Sequence, residues 1–408
     1  MNDINIFRDE NKVVLLNSKL PSWISLSTET YDIYKFYIQN GLIKTCNHYD
    51  LDPINLNSFL QEIDDTLNTP FLEEQTNDSL GATVFLTDAC NYQCVHCFYG
   101  KMKENRFMNR DIFKAFLQDM IKRNIKIITF TGGEPLLHQD LEWYLKECFD
   151  NHIEVFLLTN ASLINNEIAE TLVKYKVWVQ VSLDGNQTTF KKIRKGGDYS
   201  KTMNGIKLLN QYKIPFDISF TINKLNYNSF EDVKSIALKY GAKGIHFPIL
   251  EEYGNAIDHL NSLSLSQDEL IGFLDTIIDE YYNGLKERIC ITFIDKIEKE
   301  LLESNKKIAC SLGNGTGALY ANGKMYPCSE LIEQKFMQKD YNCSNKQEQQ
   351  FSTIHVNEIE ECKDCPFKFY CGGGCRVHSY IQYSNFYRAD TNCKLYKFCY
   401  EKILMKIA

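Results

Sequence analysis

The sequence predicts an α/β protein, a partial (β/α)6 TIM-like barrel flanked by a small N-terminal unit and a C-terminal cysteine-rich segment. Three observations predict it. Six apolar, strand-like runs alternate with helical stretches from residue 82 to about 250. Ahead of them lies a short strand–strand–helix–helix pattern, and beyond about residue 305 the periodicity fades into cysteine, glycine and polar runs. The boundaries expected are 1–78, 82–304 and 305–408.

In the N-terminal unit, KVVLLN (12–17) and SWISLS (22–27) flank a Lys-Leu-Pro turn and predict a hairpin. Thr28 is the expected cap of a helix whose stripe is Tyr31, Ile33, Tyr34, Tyr37 and Ile38, closed by Gly41. A second helix is expected around Leu56 to Leu67, and LEEQTNDS (72–79) reads as a linker. The strands expected next are 82–87, 125–131, 153–159, 177–183, 216–222 and 244–250, with helices near 109–123, 138–150, 165–176, 200–212 and 229–240. Strands each followed by a helix imply a parallel sheet with crossover helices. Eight such units close a barrel and six leave it open. A capping box at Ser266 and Glu269 starts a further helix. After 305 little apolar material is available for a core, so the fold there is expected to depend on metal. The tract 338–350 reads as a solvated excursion.

Composition excludes several classes. A formal net charge of −8 disfavours nucleic acid. No run reaches membrane-spanning length, and MNDINIFRDENK lacks a signal peptide's basic and apolar regions, so a cytoplasmic address is expected. Fifteen cysteines without an export signal point to metal rather than a disulfide framework. They are grouped, leaving Cys46, Cys148 and Cys290 as ordinary buried residues.

Cys90, Cys94 and Cys97 follow the first barrel strand, at the end of the sheet where such folds put chemistry. Three thiolates on one loop can hold three irons of a [4Fe–4S] cube and leave the fourth open. The competing reading is zinc, with His96 as fourth ligand, although adjacent residues rarely bind one ion together.

The C-x3-C-x-aromatic-C spacing resembles the radical S-adenosylmethionine (SAM) superfamily signature. Thr131-Gly132-Gly133-Glu134-Pro135 at the end of strand two matches its GGE motif, which holds the SAM amino group; glycine permits close approach and a carboxylate pairs with an ammonium. Asn160 at the end of strand three, Ser182 and Asp184 at the end of strand four, and Arg194 match positions that the resemblance assigns to SAM, Ser182 and Asp184 to its ribose and Arg194 to its carboxylate.

Downstream, Cys310-x12-Gly323-x4-Cys328 precedes Cys362-x2-Cys365-x5-Cys371-x3-Cys375 and Cys393. This resembles the SPASM extension, which carries two auxiliary [4Fe–4S] clusters. The resemblance gives Cys310, Cys328 and Cys375 to an inner cluster and Cys362, Cys365, Cys371 and Cys393 to an outer one. A structural zinc module is the alternative. The fourth inner ligand is open among Cys290, Cys343, Cys399 or a free iron site.

The resemblance implies reductive cleavage of SAM to a 5′-deoxyadenosyl radical, with an electron donor such as flavodoxin or ferredoxin. The N-terminal unit resembles the winged-helix peptide-recognition domain of ribosomal-peptide (RiPP) maturases, which would bind a leader peptide by strand addition. The expected function is therefore modification of a precursor peptide, such as a thioether crosslink. Two alternatives stand beside it. One is formylglycine formation, for which related enzymes carry an Asp where this chain has Ser329, with Glu330 next to it. The other is a non-catalytic iron–sulfur carrier or scaffold. No residue stands out as a general base.

Overall fold

The computed structural model describes residues 3–70, 81–100, 104–303, 305–306, 317–332, 339–340 and 354–408. The N-terminal unit is a three-stranded antiparallel meander, β1 (Ile4–Arg8), β2 (Lys12–Asn17) and β3 (Ser22–Ser27), followed by helices Thr28–Asn40, Leu42–Tyr49 and Pro53–Asn68. The expected hairpin is β2–β3; the sequence reading missed β1 and the middle helix. Ser27, not Thr28, caps the first helix: its side chain accepts from Thr30 N, and Thr28 is already helical. Gly41 closes that helix, as expected. The proposed linker at 72–79 lies outside the described residues.

Burial of β2 on both faces explains where this unit sits. Val13 and Leu15 pack under its own helices, while Val14 and Leu16 join the main core of the molecule. Phe7 of β1 stacks on Phe367 with ring centroids 5.5 Å apart, and Trp23 Nε1 donates to Leu301 O at 2.9 Å. The unit is thus fused to the C-terminal half.

All six expected barrel strands are present: β4 (Gly81–Thr87), β5 (Ile127–Gly132), β6 (Glu154–Thr159), β7 (Trp178–Ser182), β8 (Phe216–Ser219) and β9 (Gly244–His246). Each pairs in parallel with the next. A seventh, β10 (Cys290–Ile291), adds in parallel beyond β9. On the opposite edge, β11 (Ala318–Leu319) runs parallel to β4 and continues antiparallel into β12 (Lys324–Tyr326) and β13 (Lys339–Asp340). The C-terminal segment therefore completes the sheet of the barrel, and β13 is the described part of the tract read as a solvated excursion. The Ser266–Glu269 capping box starts helix Gln267–Glu280, as expected.

The two strand faces differ in kind. Val179, Val181, Ile218, Phe220, Ile245 and Phe247 are buried in the main core. The opposite parity carries Gln180, Ser182, Ser219, Thr221 and His246, and the register aligns Ser182, Ser219 and His246 as one row across three strands. Bulky branched residues usually fill such an interior. Here polar residues leave it hollow.

The C-terminal segment has more core than its composition implied. Leu331, Ile354, Val356, Ile359 and Val377 form a small cluster, and helix Cys393–Ile407 inserts Leu395, Ile403 and Leu404 into the main core. Arg376 is 2% exposed, and its guanidinium donates to Phe386 O and Arg388 O at 2.9 Å and to Gly374 O at 3.2 Å. One arginine thus ties the glycine turn to the loop before Cys393. Among the described residues, no helix is long and apolar enough to cross a membrane.

Candidate functional site

A cavity of about 490 Å³ opens at the C-terminal ends of the barrel strands. Cys90, Cys94 and Cys97 line it together with Thr131, Gly132, Gly133, Asn160, Ser182 and Arg194. Glu134 and Asp184, expected in the same site, sit behind its wall and are fully buried.

The cysteine loop is held from three directions. Gly133 N donates to Thr87 O and Glu134 N to Ala89 O, both at 2.8 Å, which draws the glycine turn onto the start of the loop. A Cβ on Gly133 would lie 2.0 Å from Ala89 O, and one on Gly132, whose φ is +135°, 2.0 Å from Thr87 O. The glycines are thus demanded first by the approach of two backbone segments. From the second side, Asn160 Nδ2 donates to Asn91 Oδ1 at 2.9 Å. From the third, Gln93–Cys94 form a two-residue antiparallel ladder with Arg194–Lys195, in which Cys94 faces Arg194. No spacing rule reads such a ladder, and the sequence reading missed it.

Glu134 acts as an internal brace. It accepts from Thr159 Oγ1 at 2.7 Å, Asn160 N at 2.8 Å and Leu136 N at 3.1 Å, joining the end of β5 to that of β6. Burial pushes its carboxyl up to about 7 against those hydrogen bonds. Asp184 braces the other side: Oδ1 accepts from Thr221 N at 3.0 Å, and Oδ2 lies 2.7 Å from Arg194 Nε. Burial opposes the charge on Arg194, but Asp184 and Cys94 hold its pKa above the ordinary value. Its Nη1 lies 3.8 Å from Cys94 Sγ.

Metal fits this loop. Burial pushes the Cys94 thiol up to about 12, so a thiolate there calls for a cation. His96 is held near Asp184 at 3.5 Å, burial depresses it to about 4, and its Nδ1 is buried without a hydrogen-bond partner among the described residues. An arginine directed at one thiol and an unpaired buried nitrogen next to it mark a site shaped for a bound group.

The C-terminal cysteines separate into two places. Cys362, Cys365, Cys371 and Cys393 all line one small cavity of about 20 Å³ with Phe367 and Tyr400. Burial pushes Cys362 up to about 11 and Cys371 to about 12, so four thiolates here likewise call for a positive centre. Cys375 lies apart, with Glu330 Oε2 at 3.7 Å. Ser329 and Glu330, which follow Cys328, line the large cavity opposite the first cysteine loop. Cys310 and Cys343 lie outside the described residues. Cys290 donates its thiol to Asp295 Oδ2 at 2.6 Å, and Cys399 is fully buried in the main core. Cys46 and Cys148 are buried, as expected, and every described cysteine is a free thiol.

Sequence reading also passed over His246 and Glu251, and took Glu330 only as the neighbour of Ser329. Glu251 and Glu330 flank His378, at 2.8 and 3.8 Å from its Nε2. Burial raises the Glu330 carboxyl. The alternation in GIHFPIL places His246 opposite Ile245 and Phe247 and was the available signal for it.

Alanine at Gly133 tests the geometry. Its Cβ cannot be accommodated without moving the cysteine loop, so Gly133→Ala is expected to lower iron retained per chain and 5′-deoxyadenosine release about tenfold or more. Iron assay and chromatography check this. Unchanged iron would show the loop tolerates the displacement.

Residues 84–237 match the radical SAM superfamily. The chain is 25% identical over 351 residues to the cysteine-type anaerobic sulfatase-maturating enzyme of Clostridium novyi, covering 78% of this chain and 93% of that one. The fold matches the sulfatase-maturating enzyme anSMEcpe bound to AdoMet and a Kp18Cys peptide, with a TM-score of 0.67 at 22% identity over 80% of this chain and 97% of that one. It also matches Streptococcus suis SuiB bound to its precursor peptide SuiA, with a TM-score of 0.61 at 16% identity over 97% of this chain and 99% of that one. A three-cysteine loop pinned to a glycine turn at the mouth of a parallel barrel, within a segment that matches that superfamily, makes this chain a radical SAM enzyme that resembles the maturases.

Proposed function

We propose that the enzyme modifies a ribosomally made precursor peptide by forming an intramolecular crosslink such as a thioether, using SAM, one catalytic and two auxiliary [4Fe–4S] clusters. The observation that carries this reading is the single small cavity lined by Cys362, Cys365, Cys371 and Cys393 beside a radical SAM barrel. The likeness to SuiB, which spans 97% of the chain and so takes in the N-terminal unit, supports a peptide substrate. In this reading the N-terminal unit is the winged-helix-like leader-binding domain, and residues 305–408 form the SPASM domain.

Cys90, Cys94 and Cys97 would hold the catalytic cluster. Thr131, Gly132, Gly133, Asn160, Ser182 and Arg194 would line the SAM pocket, with Glu134 and Asp184 bracing it from behind. Cys328 and Cys375, with Cys310, would hold the inner auxiliary cluster. When bound, cluster and SAM would supply the radical chemistry that takes a hydrogen atom from substrate carbon. The protein positions substrate in the hollow barrel and excludes water. A flavodoxin or ferredoxin would supply the electron in the cytoplasm.

A second reading, formylglycine formation, is favoured by the sulfatase-maturating relatives and by Glu330, whose carboxylate lines the large cavity one residue beyond the position of the catalytic Asp that the resemblance implies.

Anaerobically reconstituted enzyme is expected to hold about twelve irons, and Cys393→Ala about eight. Co-expression with peptides encoded beside its gene should yield a mass loss of two hydrogens on one of them, read by mass spectrometry. Iron near four would remove the auxiliary clusters. Oxidation of a sulfatase-type cysteinyl peptide alone would decide for the second reading.

A further inference from the structure

We infer that His246 is the proton acceptor of the cavity, taking the proton of the substrate's reacting cysteine thiol; this rests on the peptide-modifying reading above. His246 ends β9 and lines the cavity that Cys90, Cys94 and Cys97 also line. It stands in the polar row with Ser182 and Ser219.

Its second-nearest neighbours fix which nitrogen is basic. Nδ1 lies 2.8 Å from Thr292 Oγ1, and that hydroxyl donates to Ile245 O at 3.4 Å. A hydroxyl has one hydrogen, so both contacts are hydrogen bonds only when Nδ1 carries the proton and donates to Thr292. The lone pair is then on Nε2, which has no hydrogen-bond partner among the described residues. Burial and the charge of Lys296, on helix Thr292–Glu303, keep the ring neutral by lowering its pKa. The other charged groups on the cavity wall are Arg194, Glu251 and Glu330. In the step assigned to it, the S–H bond breaks heterolytically, the electron pair stays on sulfur and the proton moves to Nε2. Thr292 is a positioning residue: it holds the tautomer.

Two measurements test this. Diethyl pyrocarbonate, which attacks a neutral, accessible imidazole, is applied anaerobically to the reconstituted enzyme over a pH series, and each histidine is followed by peptide mapping. His246 should be modified, with the rate falling at lower pH than for N-acetylhistidine. No modification, or a midpoint at or above that reference, overturns the proposal without touching the maturase reading. With the peptide found by co-expression, His246→Gln should cut the ratio of modified peptide to 5′-deoxyadenosine about a hundredfold and abolish its acid-side pH dependence. Thr292→Val should cut it severalfold. An unchanged ratio and pH profile in His246→Gln also overturns it. Failure of wild-type enzyme to modify any peptide sinks the maturase reading, and with it the thiol as the proton's source.

Discussion

Cys97→Ala is expected to abolish release of 5′-deoxyadenosine from SAM while leaving the fold in place. The loss should exceed the roughly 10–100-fold that removal of an outer-shell partner costs a metal site. The position of residue 97 is set by its backbone: Cys97 N donates to Cys94 O at 3.2 Å, and Cys97 O accepts from Asn255 N at 2.9 Å and Gly100 N at 3.3 Å. Its half-buried side chain contributes little to the core, so alanine removes a thiolate and little else. Cys148→Ala is the control. That thiol is fully buried between helix and sheet in the main core, so its loss should cost about 1 kcal/mol of stability and leave SAM cleavage intact. Chromatographic detection of 5′-deoxyadenosine from both variants, normalised to protein, decides the matter. Retained release in Cys97→Ala would mean that another residue completes the catalytic loop.

What could be read in advance follows from the range of the forces involved. The six barrel strands were legible because each runs apolar on the helix-packed face and is bounded by a helix. The cysteine spacing was legible because a metal loop is local in sequence. β1 was not, since INIFR alternates weakly and its pairing with β2 is what makes it a strand. Nor was β11: Ala318–Leu319 is too short to read alone and becomes a strand through Thr83 and Val84, which are distant in sequence. The bracing contacts of Glu134 and Asp184 were not legible for a related reason. A motif names the residue type at a strand end, but only three-dimensional packing decides whether a carboxylate faces the cavity or braces the wall behind it. Here Thr159, Asn160 and Leu136 supply Glu134 with its hydrogen bonds. The polar barrel interior was visible in the parity of VWVQVSL and FDISFTI, yet an overall apolar content conceals it.

Arg194→Ala should be the most destabilising change near the site. The pair it forms with Asp184 is 2.7 Å apart with side chains 8% and 0% exposed. Removing one partner of a buried pair leaves the other charge uncompensated and costs about 3–5 kcal/mol. Asp184→Asn combined with Arg194→Met removes both charges together, and the double variant should recover part of the loss seen in Arg194→Ala. Denaturant unfolding of wild type, Asp184→Asn, Arg194→Met and the double variant measures the coupling. The same pair governs chemistry through geometry: residue 194 shares a backbone ladder with Cys94, so a variant that folds but shifts this segment should lose iron in step with stability. Additive losses in the double variant would show that Arg194 and Asp184 act independently, and that the ladder alone holds the loop against the barrel.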